Sequence, residues 1–422
     1  MLLIKDGTLY TMESEEPVCA DLLMKDGKII RISKHITRTS DMEVIDARGM
    51  WVLPGFIDAH SHIGLSEEKT GVPGDDCNET TNPVTPTLRA IDAINPLDSA
   101  FHNALAEGIT GVMAGPGSSN VIGGQFAFIK TFGRRVDDMV VLAPAAIKIA
   151  FGENPKTNYG ENGQMPGSRM GTAALIRKEL FRAKQYFEKM NNLERKLTAE
   201  KRRILEEKTK RGDFQTLEEE TVLKKKSALE EQLMAEKDFG LESYRELFEG
   251  KIPLKAHAHR TDDIFTAIRI AREFGLDLTL DHCTEGHLIA EELAEFGYPA
   301  IVGPAFASRS KNEVSLADFK TAGILKKAGV SVALTTDHPV SRIQYLPLCA
   351  ALSAIEGLGE YNALRAITLD AAKICKVDHR VGSLKEGKDA DVIIYDGNPL
   401  EILSKLKVTI INGRIVWSDK EY

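Results

Sequence analysis

Strand-like apolar runs alternate with helix-compatible stretches through the middle of the sequence, from about Ile57 to about Cys375. The runs are "GITGVMAG", "MVVLAPAAIKIA", "IPLKAHAH", "LDLTLDHC", "PAIVGPAF" and "VSVALTTD". Helical sequence such as Thr261 to Phe274 or Gly286 to Phe296 follows them. Repeated βα units predict a parallel sheet. About 300 residues of such units fit an α/β fold of the (β/α)8, or TIM, barrel type.

A doubly wound parallel sheet is the alternative for the same alternation. Its nucleotide fingerprint, GxGxxG after the first strand, does not occur in this sequence, because the glycines of the Gly115 to Gln125 segment do not match it. That segment reads as a loop. We therefore expect the barrel, in which functional residues lie at the carboxyl ends of the strands.

Both ends of the chain read as β structure. The start has short apolar runs separated by Asp6-Gly7 and Asp26-Gly27, and the end has "DADVIIYDG" and "KVTIINGRIVWSD" with Asn412-Gly413 as a hairpin turn. We predict that residues 1–56 and 376–422 form one small β-sandwich domain. Residues 57–375 then form the barrel domain.

Residues 189–237 differ from the rest because charged side chains dominate them. Apolar residues recur there at heptad-like spacing, at Leu193, Leu197, Ile204, Val222, Leu229 and Leu233. Gly212-Asp213 interrupts the run, and Glu200 and Lys226 make the apolar seam thin. We predict a helical hairpin inserted between two barrel strands. A solvated arm, self-association and a cover over the site are the alternative roles.

Composition excludes several classes of partner and compartment. The chain has 54 Lys+Arg against 62 Asp+Glu, a net charge of -8, which does not give the basic surface that nucleic-acid binding needs. No apolar run approaches the roughly 20 residues that span a bilayer, and the first residues meet charge too soon for a signal peptide. The 5 cysteines are odd in number and lack CxxC spacing. We expect a cytoplasmic protein with no nucleic-acid or membrane partner.

Chemically competent side chains fall at the ends of several predicted strands. His60 and His62 end the first barrel strand, and the others each end a later one: Lys148, His257, His282 and Asp337. Strand alternation is consistent with inward placement of Lys148 and Asp337. Because the carboxyl ends of barrel strands meet at one face, we expect these side chains to lie close together.

Four imidazoles and a carboxylate are suitable ligands for zinc and related divalent ions, and a catalytic site keeps one position open. A lysine ammonium is no metal ligand. If carbon dioxide carbamylated Lys148, however, the product would be a carboxylate able to bridge two cations, provided that the amine is neutral when it reacts. We predict one or two divalent ions per chain, with zinc as the first candidate.

The order HxH, Lys, His, His, Asp on successive strands resembles that of the amidohydrolase superfamily. The segments "GFIDAHSH", "IKIAFGENP", "KAHAHR" and "GSLKEGKDADVIIYDGNPL" resemble its imidazolonepropionase-related branch, which includes zinc-dependent carboxypeptidases. The resemblance covers nearly the whole chain apart from the charged insertion. It is specific for fold and metal site and poor for substrate.

The resemblance implies roles for the six residues. His60, His62 and Asp337 would hold a first metal, His257 and His282 a second, and carbamylated Lys148 both. Asp337 would also take the proton from the attacking water and pass it to the leaving nitrogen. Related members also work with one metal, so a mononuclear site is the alternative.

Three further residues are expected to contact substrate: Arg169, His259 and His338. Arg169 lies in "GENPKTNYGENGQMPGSRMG", which reads as a long polar loop after Lys148, and could grip a carboxylate or form a structural salt bridge. His259 shares a strand face with His257, as does Lys255, which could compete with Lys148 for the polar interior. His338 adjoins Asp337 and could instead pack behind the site.

We predict a metal-dependent hydrolase that cleaves an amide C–N bond in a small molecule such as an N-acyl amino acid, a dipeptide or a cyclic amide. The alternatives are a mononuclear hydrolytic deaminase of a ring substrate and a catalytically inactive relative that uses the barrel for assembly. A homo-oligomer is compatible with each of them.

Overall fold

A computed structural model of the chain describes residues 1–68, 71–211, 217–306 and 311–419, without the side chains of 206–222. The strands are β1 Leu2–Leu9, β2 Val18–Lys25, β3 Lys28–Ser33, β4 Glu43–Asp46, β5 Trp51–Pro54, β6 Phe56–Ser61, β7 Ile109–Ala114, β8 Ile122–Lys130, β9 Val140–Ala150, β10 Leu254–Ala258, β11 Leu278–His282, β12 Ala300–Val302, β13 Val332–Leu334, β14 Val392–Tyr395, β15 Leu406–Ile411 and β16 Arg414–Ser418.

The α-helices are α1 Ser99–Leu105, α2 Val136–Met139, α3 Glu153–Gly160, α4 Arg169–Arg211, α5 Leu217–Ala235, α6 Phe239–Glu242, α7 Arg245–Phe248, α8 Thr261–Phe274, α9 Ala290–Phe296, α10 Lys320–Ala328, α11 Leu346–Ser353, α12 Glu360–Ala366 and α13 Leu369–Ile374. Every helix of the described residues is too short or too polar to cross a bilayer.

One eight-stranded sheet contains β6 to β13 in chain order. Its two edges meet, because the His62 amide donates to the His338 carbonyl at 2.8 Å and Thr335 Oγ1 donates to the His60 carbonyl. The sheet is therefore a nearly closed barrel. All six apolar runs quoted above from the middle of the sequence contain strands of this barrel.

The prediction of an all-parallel barrel is wrong at β8, which runs antiparallel to both β7 and β9. Only residues 115–121 connect β7 to β8, whereas parallel neighbours need a crossover of about a dozen residues or more. The expected loop from Gly115 to Gln125 accordingly ends where β8 begins. The remaining barrel pairs are parallel.

Strands from both ends of the chain share a second sheet, in the order β16-β15-β14-β5-β1-β2-β3 with β4 beside β1. Asp26 and Gly27 form the turn between β2 and β3 with positive φ values of 50° and 78°, as a hairpin of this sequence requires. The predicted turn at Asp6-Gly7 is instead an irregularity inside β1. The β-sandwich arrangement and the domain limits at 56/57 and 375/376 stay predictions.

The charged insertion is continuous with a barrel helix. We predicted a separate hairpin over Lys189–Lys237, but α4 already begins at Arg169 and runs to Arg211, and α5 packs against it. The part of α4 up to Leu197 has a buried apolar stripe at Ile176, Leu180, Ala183, Phe187, Met190, Leu193 and Leu197. Lys201 and Glu230 pair across the two helices at 3.4 Å. Gly212-Asp213 and the Val222 side chain lie outside the part of the chain that the structure describes.

The barrel and the terminal sheet are joined by a buried ionic contact. Lys130, at the end of β8, is 3% exposed. Its ammonium donates to Asp389 Oδ2 at 2.8 Å and to Asp391 Oδ1 at 2.9 Å, just before β14. Lys28 of the terminal sheet also pairs with Asp389, at 2.6 Å, but its side chain is 47% exposed.

We expect Lys130→Met to lower the free energy of unfolding by about 3–5 kcal/mol, because it leaves the buried Asp391 carboxylate without its ion-pair partner. Lys28→Met is the matched control, and we expect it to cost at most about 1 kcal/mol, since the Lys28 side chain is half exposed and Asp389 keeps Lys130 and Arg380. Urea unfolding of both variants checks this. Equal losses in the two variants would contradict the buried link.

Candidate metal centre

A first group of potential ligands consists of His60, His62 and Asp337, all buried. His60 lies on β6, His62 directly follows it, and Asp337 follows β13, so the meeting of the two barrel edges brings them together. Asp337 Oδ1 lies 3.1 Å from His62 Nε2 and 3.4 Å from His60 Nε2. The pairing predicted for the first metal is thus present as a cluster of donor atoms.

A second group consists of His257, His259 and His282, also buried. His257 lies on β10 and His282 ends β11. The ring of His282 lies 4.5 Å from that of His257 and 5.1 Å from that of His60, measured between centroids. The two groups are therefore adjacent, and His259, expected to contact substrate, belongs to the second group.

The backbone is left-handed at two of these positions, with φ of 71° at His282 and 52° at Asp337. Such values are uncommon outside glycine and are kept only where the surroundings enforce them. Regular alternation would place Asp281 and His282 on opposite faces of β11. Both nevertheless lie beside His60, since Asp281 Oδ2 is 3.0 Å from His60 Nδ1.

Hydrogen bonds orient the imidazoles. Nδ1 of His62 lies 2.7 Å from the Gly115 carbonyl and Nδ1 of His282 lies 2.9 Å from the Gly303 carbonyl. A carbonyl only accepts, so Nδ1 carries a proton and Nε2 is the nitrogen left to bind a metal ion. His259 Nδ1 pairs with Thr284 Oγ1 at 2.7 Å.

His257 gives the clearest sign that a cation fits. Both of its ring nitrogens are buried and neither has a hydrogen-bond partner among the described residues, which is rare for a buried polar group without a functional reason. Burial, with His282 and His259 nearby, holds the pKa of His257 well below its usual range. A neutral imidazole with an unused lone pair is a suitable ligand for a divalent ion.

His62 and Asp337 hold each other in charged forms. Burial opposes the charge on both groups, but His282 and His62 lower the pKa of Asp337 far below its usual range. Burial likewise opposes protonation of His62, yet Cys77 and Asp337 raise its pKa to about 10. A bound cation would take the place of the proton on this imidazole.

Lys148 lies against the first group, with Nζ 3.4 Å from His60 Nε2 and 3.6 Å from Asp281 Oδ2. Burial lowers its pKa to about 8, although Asp281 opposes the shift. Lys255 does not replace it, because its ammonium donates to the Ala59 carbonyl and to Asp281 Oδ1, both at 3.0 Å. The polar interior therefore accommodates both lysines around one carboxylate.

A cavity of about 410 Å³ opens beside both groups, and its lining includes His62, His257, His259 and Asp337. Arg169 is not among the lining residues. Its Nε donates to Asp263 Oδ2 at 2.9 Å, which favours the salt-bridge alternative, and its expected loop contains α3 and the start of α4. His338 is fully buried, and its Nδ1 accepts from the Ile343 amide at 3.3 Å. Substrate contacts of Arg169 and His338 stay predictions.

Sequence reasoning missed two buried carboxylates, Asp281 and Asp58. Asp58 Oδ2 accepts from the Thr336 amide at 3.1 Å, next to Asp337. Both residues stand within two positions of a histidine, in "LTLDHC" and "GFIDAHSH". That proximity was the available signal, since histidine ligands commonly pair with a carboxylate.

Comparison with known proteins identifies the family of this chain. The amidohydrolase family model matches residues 51–416. The chain belongs to the amidohydrolase family. The narrower imidazolonepropionase-related branch stays a prediction.

Individual amidohydrolases and related structures resemble the chain to different degrees. The crystal structure of an amidohydrolase from Thermotoga maritima MSB8 has a TM-score of 0.85 and 38% identity, over 99% of this chain and 100% of that one. Amidohydrolase tasK of Hapsidospora irregularis is 26% identical over 421 residues. That match covers 94% of this chain, which spans only 40% of the length of tasK. A prolidase complexed with N-methylphosphonate-L-proline shares the fold, with a TM-score of 0.57 at 16% identity over 99% of this chain and 100% of that one.

We expect Asp281→Asn to weaken zinc binding about 10- to 100-fold, because His60 loses the carboxylate that orients its ring. Competition with a chromophoric chelator measures the affinity, and thermal unfolding checks that the variant is folded. Asp277→Asn is the matched control, since Asp277 precedes the same strand, is 57% exposed and pairs with Lys376. Unchanged zinc affinity in a folded Asp281→Asn protein would contradict the orienting role.

Proposed function

We propose that this amidohydrolase is a metal-dependent hydrolase that cleaves an amide C–N bond in a small molecule, such as an N-acyl amino acid, a dipeptide or a cyclic amide. One observation carries the proposal: His257 is buried beside a cavity with both ring nitrogens unpaired among the described residues, next to two groups of potential metal ligands. Small-molecule sites are cavities of this kind, with a few converging polar groups.

The donor set suits zinc or a similar ion, because it consists of imidazole nitrogens and a carboxylate oxygen without a thiolate. His60, His62 and Asp337 would hold one ion, and His257 and His282, with His259 as a further donor, would hold a second. A divalent ion there supplies a Lewis acid that polarises the amide carbonyl and lowers the pKa of water.

Asp337 is the residue best placed to move protons. It lines the cavity, and its lowered pKa keeps the carboxylate ionised at neutral pH. In the proposed reaction Asp337 accepts a proton from the attacking water and donates it to the leaving nitrogen as the C–N bond breaks. The products are a carboxylic acid and an amine.

We also propose that Lys148 reacts with carbon dioxide to give a carbamate. Its amine nitrogen forms the new N–C bond and releases a proton, so the amine must first be neutral. Burial supports this, because it lowers the pKa of Lys148 to about 8. The resulting anion would lie beside His60 and could serve as a further negative ligand to a divalent ion bound there.

The two alternatives receive less support. A ring deaminase commonly needs an additional acidic residue, but Asp75, the carboxylate besides Asp337 that lines the cavity in the described residues, accepts from Ser66 Oγ and the Cys77 amide. An inactive relative has no need for a complete set of ligands. Here the six residues expected from the sequence are all buried and close together.

We expect removal of the metal by a chelator to abolish hydrolysis of N-acyl amino acids, dipeptides or lactams, and zinc to restore it. Asp337→Asn should lower kcat at least about 100-fold at saturating metal, because it removes the proton carrier. Asp138→Asn is the control, since Asp138 is exposed and pairs with Arg135 on the surface. Full activity in chelated protein would refute metal dependence.

We expect two zinc ions per chain in the presence of bicarbonate, and one or none in Lys148→Met. Elemental analysis of the dialysed proteins measures the ratio. Lysine-to-methionine exchange at Lys320, an exposed residue paired with Asp318, is the control and should leave the ratio unchanged. Two ions in folded Lys148→Met would contradict the bridging role.

A further inference from the structure

Lys311 is the one Lys or Arg among the residues that line the cavity in the described part of the chain. It lies in the connection between β12 and α10, at the carboxyl end of the barrel strands. Lys311 is exposed to solvent, so its ammonium acts on an occupant of the cavity at short range, through direct hydrogen bonds.

The Lys311 ammonium is bound by Asn154, which is in turn bound to Ser118. Lys311 Nζ donates to Asn154 Oδ1, and Asn154 Nδ2 donates to Ser118 Oγ at 2.7 Å. Asn154 belongs to α3, which follows β9, while Ser118 lies between β7 and β8. All three side chains line the cavity, so three strand-end connections meet there.

The cluster of Lys311, Asn154 and Ser118 retains hydrogen-bond donors that have no acceptor within the cluster. A lysine ammonium has three N–H groups and a serine hydroxyl has one O–H. Asn154 Oδ1 accepts a hydrogen bond from one of the ammonium N–H groups, and Ser118 Oγ accepts from Asn154, which leaves the Ser118 O–H available as a donor. Among the described residues no carboxylate forms an ion pair with Lys311 within 4.0 Å. The cluster can therefore donate to an acceptor that enters the cavity.

Lys311, His257 and His259 line the same cavity, so a ligand bound there faces both the ammonium and the histidines. Asp75, another charged residue of the lining, is occupied by its own loop, since its Oδ1 accepts from Ser66 Oγ at 2.9 Å and from the Cys77 amide at 3.3 Å. Arg169, the residue expected to hold a substrate carboxylate, is paired with Asp263.

We propose that Lys311, with Asn154 and Ser118, binds a carboxylate of the substrate at a distance from the bond that is cleaved. This inference rests on the proposed function and narrows it. The substrate is an anionic amide, such as an N-acyl amino acid or a dipeptide with a free carboxyl end, rather than a neutral cyclic amide. Anchoring the carboxylate separately orients the scissile amide at the metal centre.

The test compares a panel of N-acetyl amino acids with the matching N-acetyl amino acid carboxamides, using acetate release by the zinc-loaded full chain. We expect the wild type to prefer the free acids. Lys311→Met should lower kcat/KM for the acids about 10- to 100-fold, mainly through KM, because one charge-assisted hydrogen bond is lost. The loss for the carboxamides should be smaller, because only the free acids lose a charge-charge contact, so the ratio of kcat/KM for acids over carboxamides should fall.

Lys320→Met controls for the loss of a positive charge elsewhere, because Lys320 begins α10 and pairs with Asp318 at the surface.

Calorimetric titration of the acids and carboxamides into the same proteins gives a readout that does not need turnover. Lys311-dependent binding of the acids without hydrolysis would refute the proposed function and support the carboxylate site. Two results would overturn the carboxylate site. One is an equal kcat/KM of the wild type for acids and carboxamides, and the other is an equal loss of kcat/KM for both in Lys311→Met.

Discussion

The candidate metal centre depends on the contacts made by one buried carboxylate, that of Asp281. It is fully buried, and it contacts His60 Nδ1 at 3.0 Å, Lys255 Nζ at 3.0 Å and Lys148 Nζ at 3.6 Å. A buried charge is costly unless it is paired and hydrogen-bonded. Asp281 is therefore paired with Lys255, and its other oxygen contacts the ring of His60. Lys148 remains further away, with its pKa lowered to about 8 by burial.

Strand β8, which runs antiparallel to its two neighbours, adds an aromatic residue to this group of charged side chains. It contributes Phe126, which is fully buried, with its ring centroid 5.3 Å from that of His60. The ammonium groups of Lys148 and Lys255 lie 5.6 Å and 5.5 Å from the same ring. Cations are attracted to aromatic faces. An apolar ring thus lies near both ammonium groups without adding a competing metal ligand.

Much of this could be predicted from the sequence, because strand ends and polar residues leave local signals. The six runs of the barrel, the helix Thr261–Phe274 and the proximity of His60, His62, His257, His282, Asp337 and Lys148 all appear in the structure. Their chemical roles are proposals. The strand pattern was sufficient because carboxyl ends of neighbouring strands meet at one face.

The remaining features depend on contacts between distant parts of the chain. The strand β8 contains Gly123-Gly124, which reads as loop sequence, and its direction is set by the short connection from β7. Arg169 pairs with Asp263 on α8, a partner that no local pattern reveals. The left-handed backbone at His282 places both Asp281 and His282 beside His60, against the alternation expected of a strand.

Zinc K-edge X-ray absorption on the metal-loaded chain tests the central claim most directly, because it reports the atoms bound to the ion. We expect only nitrogen and oxygen neighbours, at about 2.0–2.2 Å, with the scattering pattern of imidazole. Cys77 lines the same cavity and is the nearest competing type of donor. A sulfur neighbour at about 2.3 Å, or zinc without imidazole, would contradict a centre built from the buried histidines and Asp337.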